Sequence, residues 1–196
     1  MATLILVRHG ESIWNRQNRF TGWVDVSLSR AGIAEAERAA VLLGEERLDV
    51  VFTSALLRAQ DTAYEILKRN RHCAQYVRVH DVLKRDWYEH FVSRPTETLE
   101  LKIYVSEMLN ERYYGDLQGM RKDEAAVRFG SEQVHQWRRS YDIPPPNGES
   151  LQMTADSDDV GHLLRFDVGH LLRFEAGRRS DLMSATLSNV PEGRNG

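Results

Sequence analysis

Cysteine is nearly absent: Cys73 stands alone among 196 residues. A single thiol excludes an intrachain disulfide and a cysteine-built zinc site. Uncompensated charge is scarce as well. Lysine and arginine number 26 against 29 aspartate and glutamate, a formal net charge of −3. That balance argues against a general nucleic-acid binder and gives no reason to expect a membrane surface. Long apolar runs are missing. The first, Leu4 to Val7, is stopped by Arg8 and is too short for a signal peptide or a membrane span. What remains is 41% hydrophobic residues, enough for a full core without staples. The expectation is a soluble, cytoplasmic, globular protein, with homo-oligomerisation left open.

The early pattern alternates strands and helices. Residues 3–7 read as a fully buried strand, short and apolar, ended by Arg8-His9-Gly10. Ile33, Ala36, Ala40 and Leu43 recur at helical spacing over 30–47, with Ser29 as N-cap. Residues 49–53 form a second buried strand. Ser54 caps a helix whose face is Leu56, Ala59, Ala63 and Ile66. A third strand falls near 75–80. Residues 99–105 alternate Leu99, Leu101, Ile103 and Val105 against polar neighbours, the mark of a half-buried strand. Helices follow at 121–129 and 131–141, split by Gly130, and Pro144-Pro145-Pro146 forces an extended loop. Strand and helix in alternation predict an α/β fold with a parallel sheet. The tail carries a tandem repeat: Asp159 to Phe166 recurs unchanged as Asp167 to Phe174, with apolar residues at helical spacing. Ser184 to Gly196 read as a loose terminus.

Three clusters carry chemistry. Arg8-His9-Gly10 stands at the carboxyl end of the first strand, the end that lines the ligand crevice in open α/β sheets. A neutral imidazole there can attack phosphorus, and an arginine can grip phosphoryl oxygens bidentately. The competing reading is a strand end with an incidental histidine. Arg58 falls in the first turn after the second strand and can face the same crevice, although a lone arginine there is more often solvated. Glu111 follows the alternating strand. A carboxylate beside an anion site suggests proton transfer; a strand-end salt bridge is the bland alternative. Lys122, Arg138 and Arg139 add positive charge, or simply a solvated helix face.

Several motifs in order then carry a resemblance. They are Leu6-Val-Arg-His9-Gly-Glu-Ser12-Ile-Trp-Asn15, Phe20-Thr21-Gly22-Trp-Val-Asp25-Val and Leu109-Asn-Glu111-Arg-Tyr-Tyr114-Gly-Asp-Leu-Gln-Gly119. Glu132-Gln-Val-His-Gln-Trp-Arg138-Arg139 and Pro144-Pro-Pro-Asn-Gly-Glu-Ser-Leu151 extend them. Together they resemble the cofactor-dependent phosphoglycerate mutases of the histidine phosphatase superfamily. The resemblance implies a three-layer α/β/α fold with a mostly parallel sheet. It implies a catalytic domain at 1–155, followed by an atypical tail at 156–196. The implied reaction interconverts 2-phosphoglycerate and 3-phosphoglycerate. His9 would carry the phosphoryl group after priming by 2,3-bisphosphoglycerate, with Arg8 and Arg58 clamping it. Ser12, Asn15, Thr21 and Gly22 would line the pocket, and Glu111 would exchange a proton with the substrate hydroxyl. Tyr114, Lys122, Arg138 and Arg139 would hold the remaining anionic groups. No metal is implied, and the partner is a small-molecule substrate.

The sequence departs from the family pattern in places. Tyr113 stands where a histidine is usual, and residues near 84–106 suggest an insertion. Beyond residue 155 the family's closing strand and its Ala-His-Gly-Asn-Ser-Leu-Arg motif, with a second active-site histidine, are absent. His162 and His170 do not match it. His72, His80, His90 and His135 read as surface or structural residues. Two rival functions stay open: a phosphatase using the same His9, and a weakened phospholigand-binding protein.

Overall fold

Strand β4, Leu101–Ser106, lies at the centre of a three-stranded parallel sheet of order β2-β4-β3. Its neighbours are β2, Val50–Ser54, and β3, Tyr76–Val79. The expected alternation holds: Leu101, Ile103 and Val105 are buried and Lys102 is exposed. Ile103 pairs in register with Val51 on one side and Arg78 on the other. A cluster of Leu67, Leu101, Ile103 and Val105 forms one core, against which Val51, Tyr64 and Cys73 pack. The computed structural model describes residues 3–79, 100–155 and 183–186.

The other elements are β1 (Thr3–Leu6), α1 (Ile13–Arg16), α2 (Arg30–Leu42) and α3 (Leu57–Leu67). After the sheet come α4 (Lys122–Phe129), α5 (Ser131–Arg139), α6 (Leu151–Ala155) and β5 (Met183–Thr186). The parallel sheet with its helices places the chain in the α/β class. Gly130 separates α4 from α5 at φ +86°, a left-handed turn that a β-carbon disfavours. A second core cluster joins Phe20, Leu117, Ala125 and Val134, with Tyr114 and Trp137 packed on it.

Several expectations are corrected. The run at 3–7 is not a fully buried strand: Leu6 and Val7 are 40% and 39% exposed. Its strand, β1, is not in the parallel sheet but pairs antiparallel with β5. A two-stranded ribbon has two faces and little mass to cover them, so an apolar run need not be enclosed. Residues 184–186, expected within a loose terminus, are part of β5. Ser29 does cap α2, accepting from the Gly32 N–H at 3.1 Å. The helix ends at Leu42 rather than 47, and Ile33 is 43% exposed. Its inward stripe is Gly32, Ala36 and Ala40, because the backbone of Glu11 passes too close to residue 32 for any side chain. Ser54 is the last residue of β2, and Leu56 occupies the N-cap of α3. The buried side of α3 is also more polar than its apolar spacing suggested: Arg58, Gln60 and Thr62 are inside with Ile66 and Leu67.

Two units divide the chain: Met1–Arg8 with Phe174–Gly196, and His9–Arg173. The tandem repeat, most of the 84–106 segment, and His80, His90, His162 and His170 lie outside the described residues. His72 and His135 are exposed. Among the described residues, no helix is long and apolar enough to cross a membrane.

Candidate active site

Arg58 organises the site within the His9–Arg173 unit. It is the second residue of α3, and its side chain is only 1% exposed. A buried guanidinium must spend its donors. Nη1 donates to the Val24 carbonyl at 3.2 Å, and Nη2 donates to the Gly22 carbonyl at 2.8 Å. Nη2 also donates to Oε2 of Glu111 at 3.0 Å, closing an ion pair with a carboxylate that is 38% exposed. Arg58 thus joins the 22–24 loop, the start of α3 and the segment after β4. The solvated-arginine reading is excluded.

The 22–24 loop is fixed from two further directions. Gln118 Oε1 accepts from the Trp23 N–H at 2.8 Å. Asp25 Oδ1 accepts from the Leu57 N–H at 2.6 Å, capping α3 in place of the absent side-chain cap of Leu56. Gly22 takes φ +53°, and a β-carbon there would stand 2.3 Å from Gln118 Oε1. The proline loop is strapped alongside the 113–116 segment: Glu149 N donates to the Tyr113 carbonyl and Asp116 N to the Pro146 carbonyl, at 2.8 and 3.0 Å.

His9 is half-buried. Its Nδ1 lies 2.7 Å from the Gly10 carbonyl. A carbonyl only accepts, so this contact calls for the proton on Nδ1; in the neutral ring the lone pair is then on Nε2. That is the tautomer a nucleophilic imidazole needs. Arg8 follows β1 and is exposed. Ser12 and Asn15 cap α1 reciprocally: each backbone N–H donates to the other's side-chain oxygen at 3.1 Å. Tyr114 lies 5.2 Å from the Phe20 ring, centroid to centroid, and under the Arg112 guanidinium at 4.7 Å. Lys122 opens α4, and its N–H donates to the Asn18 carbonyl at 2.8 Å. Arg138 and Arg139 sit in the last turn of α5, half-buried and exposed respectively. Among the described residues no hydrogen bond joins either of them to Arg58 or Glu111.

Two buried polar atoms among the described residues lack hydrogen-bond partners: Thr21 Oγ1 and Arg112 Nη1. Thr21 precedes Gly22 in the chain and Arg112 follows Glu111, so each orphan adjoins a partner of Arg58. Unspent buried donors of this kind suit a polyanionic phosphate ester, which accepts and cannot donate. They fit 2,3-bisphosphoglycerate as well as a monophosphate. Sequence reasoning missed Arg112, Thr62, Gln118 and Asp25. Only Thr62 left a local signal, one helical turn beyond Arg58. Elsewhere, burial pushes the Cys73 thiol pKa up, away from a reactive thiolate. No group of three or more His, Cys, Asp or Glu among the described residues could hold a metal ion.

The model of the histidine phosphatase superfamily (branch 1) matches residues 4–86 and 92–156. A 2,3-bisphosphoglycerate-dependent phosphoglycerate mutase of Pseudoalteromonas atlantica is 67% identical over 155 residues, 79% of this chain and 68% of that protein. Mutase 2 of Arabidopsis thaliana is 46% identical over 79% of this chain but only 47% of its own length. Among solved structures, one titled mycobacterial hydrolase 1 aligns with a TM-score of 0.61 at 26% identity, covering 84% of this chain and 66% of that one. A mycobacterial glucosyl-3-phosphoglycerate phosphatase shares the fold, with a TM-score of 0.63 at 24% identity over 85% of this chain and 66% of that one. The chain belongs to the histidine phosphatase superfamily, within its 2,3-bisphosphoglycerate-dependent phosphoglycerate mutases.

Proposed function

We propose that this protein interconverts 2-phosphoglycerate and 3-phosphoglycerate in the cytoplasm, with residues 1–155 as its catalytic part. The observation that carries the reading is the buried Arg58 paired with Glu111 at 3.0 Å beside orphaned donors on Thr21 and Arg112. The phosphoryl group carried on Nε2 of His9 passes to the free hydroxyl of the bound monophosphate, the P–N bond breaking as the new P–O bond forms. The freed Nε2 then attacks the phosphorus of the neighbouring ester, whose bond to the substrate oxygen breaks as the bond to nitrogen re-forms. Glu111 gives a proton to the oxygen that leaves and takes one from the hydroxyl that attacks. Arg8 and Arg58 stabilise the charge on the transferring group, where phosphoryl transfer gains most from positioning and electrostatics. Ser12, Asn15, Thr21 and Gly22 line the pocket. Tyr114, Lys122, Arg138 and Arg139 hold the carboxylate and the second anionic group. When bound, 2,3-bisphosphoglycerate supplies the phosphoryl group that primes His9.

Kinship at 67% identity with a named mutase supports this reading over a phosphatase or a binding protein. A coupled assay with and without 2,3-bisphosphoglycerate, beside measurement of free phosphate, tests it. The expected result is primer-dependent mutase turnover exceeding phosphate release. Phosphate release alone would establish the phosphatase instead, and binding without turnover the weakened ligand-binding protein.

A further inference from the structure

The His9–Gly10 segment is held from two sides. On one side it presses on α2: a β-carbon on Gly10 would meet the Gly32 carbonyl at 2.3 Å, and one on Gly32 would meet the Glu11 carbonyl at 2.1 Å. On the other side stands Thr62 of α3, 4% exposed. Its hydroxyl donates to the Arg58 carbonyl at 2.8 Å and accepts from the Gly10 N–H at 3.1 Å. The first bond, to a carbonyl four residues back, is ordinary for a helical threonine. The second is not, because its donor lies 52 residues away in the chain. A hydroxyl has one hydrogen, here spent on Arg58, so what it offers Gly10 is a lone pair. The other polar group of Gly10, its carbonyl, holds Nδ1 of His9 at 2.7 Å. One residue therefore connects the helix turn of Arg58 to the imidazole of His9.

We propose that Thr62 is a positioning residue for His9. It orients the Gly10 backbone and so sets both the Nδ1–H tautomer of His9 and the register of the ring against Arg58. The catalytic consequence rests on the reading of His9 as phosphoryl carrier; the positioning itself does not. Thr62→Val keeps the side-chain volume and removes both bonds, leaving a buried Gly10 N–H without its acceptor. Thr62→Ser keeps the hydroxyl.

The test uses the full chain labelled with nitrogen-15. Ring-nitrogen spectra report the His9 tautomer, hydrogen exchange reports the Gly10 amide, and labelled 2,3-bisphosphoglycerate reports the rate of phosphoryl uptake in a single turnover. Thr62→Val is expected to mix the His9 tautomers, to speed exchange at Gly10, and to slow labelling by about 10- to 100-fold, as small misplacements of reacting groups do. Thr62→Ser is expected to restore all three. If Thr62→Val fails to fold, Thr62→Cys, a weaker acceptor, serves with the same readouts and a smaller loss. Unchanged His9 signals and Gly10 exchange in the folded variant would overturn the proposal. A parental chain that takes up no label, together with altered His9 signals in Thr62→Val, would overturn the carrier reading and leave Thr62 as the positioning residue.

Discussion

Nη2 of Arg58 stands 3.0 Å from Oε2 of Glu111, with the arginine almost wholly enclosed and the carboxylate partly open to water. The two are 53 residues apart in the chain. This asymmetry suits their proposed work: the cation is immobilised by two carbonyls, while the carboxylate keeps a face from which to exchange a proton. Glu111→Gln retains an acceptor for Arg58 but cannot shuttle a proton. Mutase turnover is expected to fall by ~10²–10⁴, with stability changed by less than about 1 kcal/mol. Steady-state kinetics beside a urea titration check both numbers, and unaltered turnover would reduce Glu111 to a structural partner.

Gly10 is sterically required. An alanine β-carbon there would meet three backbone atoms of Gly32 within 3.0 Å. Backbone cannot swing aside as a side-chain tip can, so Gly10→Ala is expected to cost about 1–3 kcal/mol. It should also displace the neighbouring His9 and slow its labelling. Gly32→Ala meets the Glu11 backbone from the opposite side and should behave alike. Thermal melts and the labelling rate are the measurements.

Ile103 sits at the centre of the middle strand with no exposure. Ile103→Ala removes buried methylenes and leaves a cavity in the cluster it forms with Leu67, Leu101 and Val105 on one face of the sheet. The expected loss is about 2–5 kcal/mol, read as a lower urea midpoint. Val41→Ala, on the outer face of α2 at 70% exposure, serves as the control and should move the midpoint little.

Arg121 grips Asp123 with two hydrogen bonds, from Nε at 3.0 Å and Nη2 at 2.8 Å. These bonds hold the Asp123 carboxyl at a pKa of about 2, below the ordinary 3.8. A depressed carboxylate favours the folded state above the ordinary pKa, and that contribution disappears as pH falls through about 2. Carboxyl carbon NMR is expected to place the Asp123 midpoint near 2, and Arg121→Ala to return it toward 3.8. Both side chains are exposed, so high salt should raise the midpoint part of the way.

Much was legible from residue order. Ser29 is followed by the Gly32 N–H it caps, Gly130 splits two helices, and β4 alternates, because each of these depends on residues within a turn or a pleat of one another. The ordered motifs likewise singled out His9 and Glu111 as candidates, and the place of Arg58 after the second strand singled out that arginine, since a residue type at a given spacing can be read without a fold. What the chain path decided was different in kind. The partners of Arg58 lie 34, 36 and 53 residues away, and the Gly10–Thr62 bond spans 52. No local periodicity encodes such a pairing. The same holds for β1, whose apolar run announced a strand but not that Met183–Thr186 would be its neighbour. It holds for Ile33, turned outward because Gly32 is the residue that fits against Glu11. Sequence alone determined the elements whose pattern is local, such as α2, α3 and β4, and which side chains carry charge. Tertiary structure decided which of those charges are enclosed and what they touch, because burial and hydrogen bonding are satisfied between distant segments only once the chain has folded.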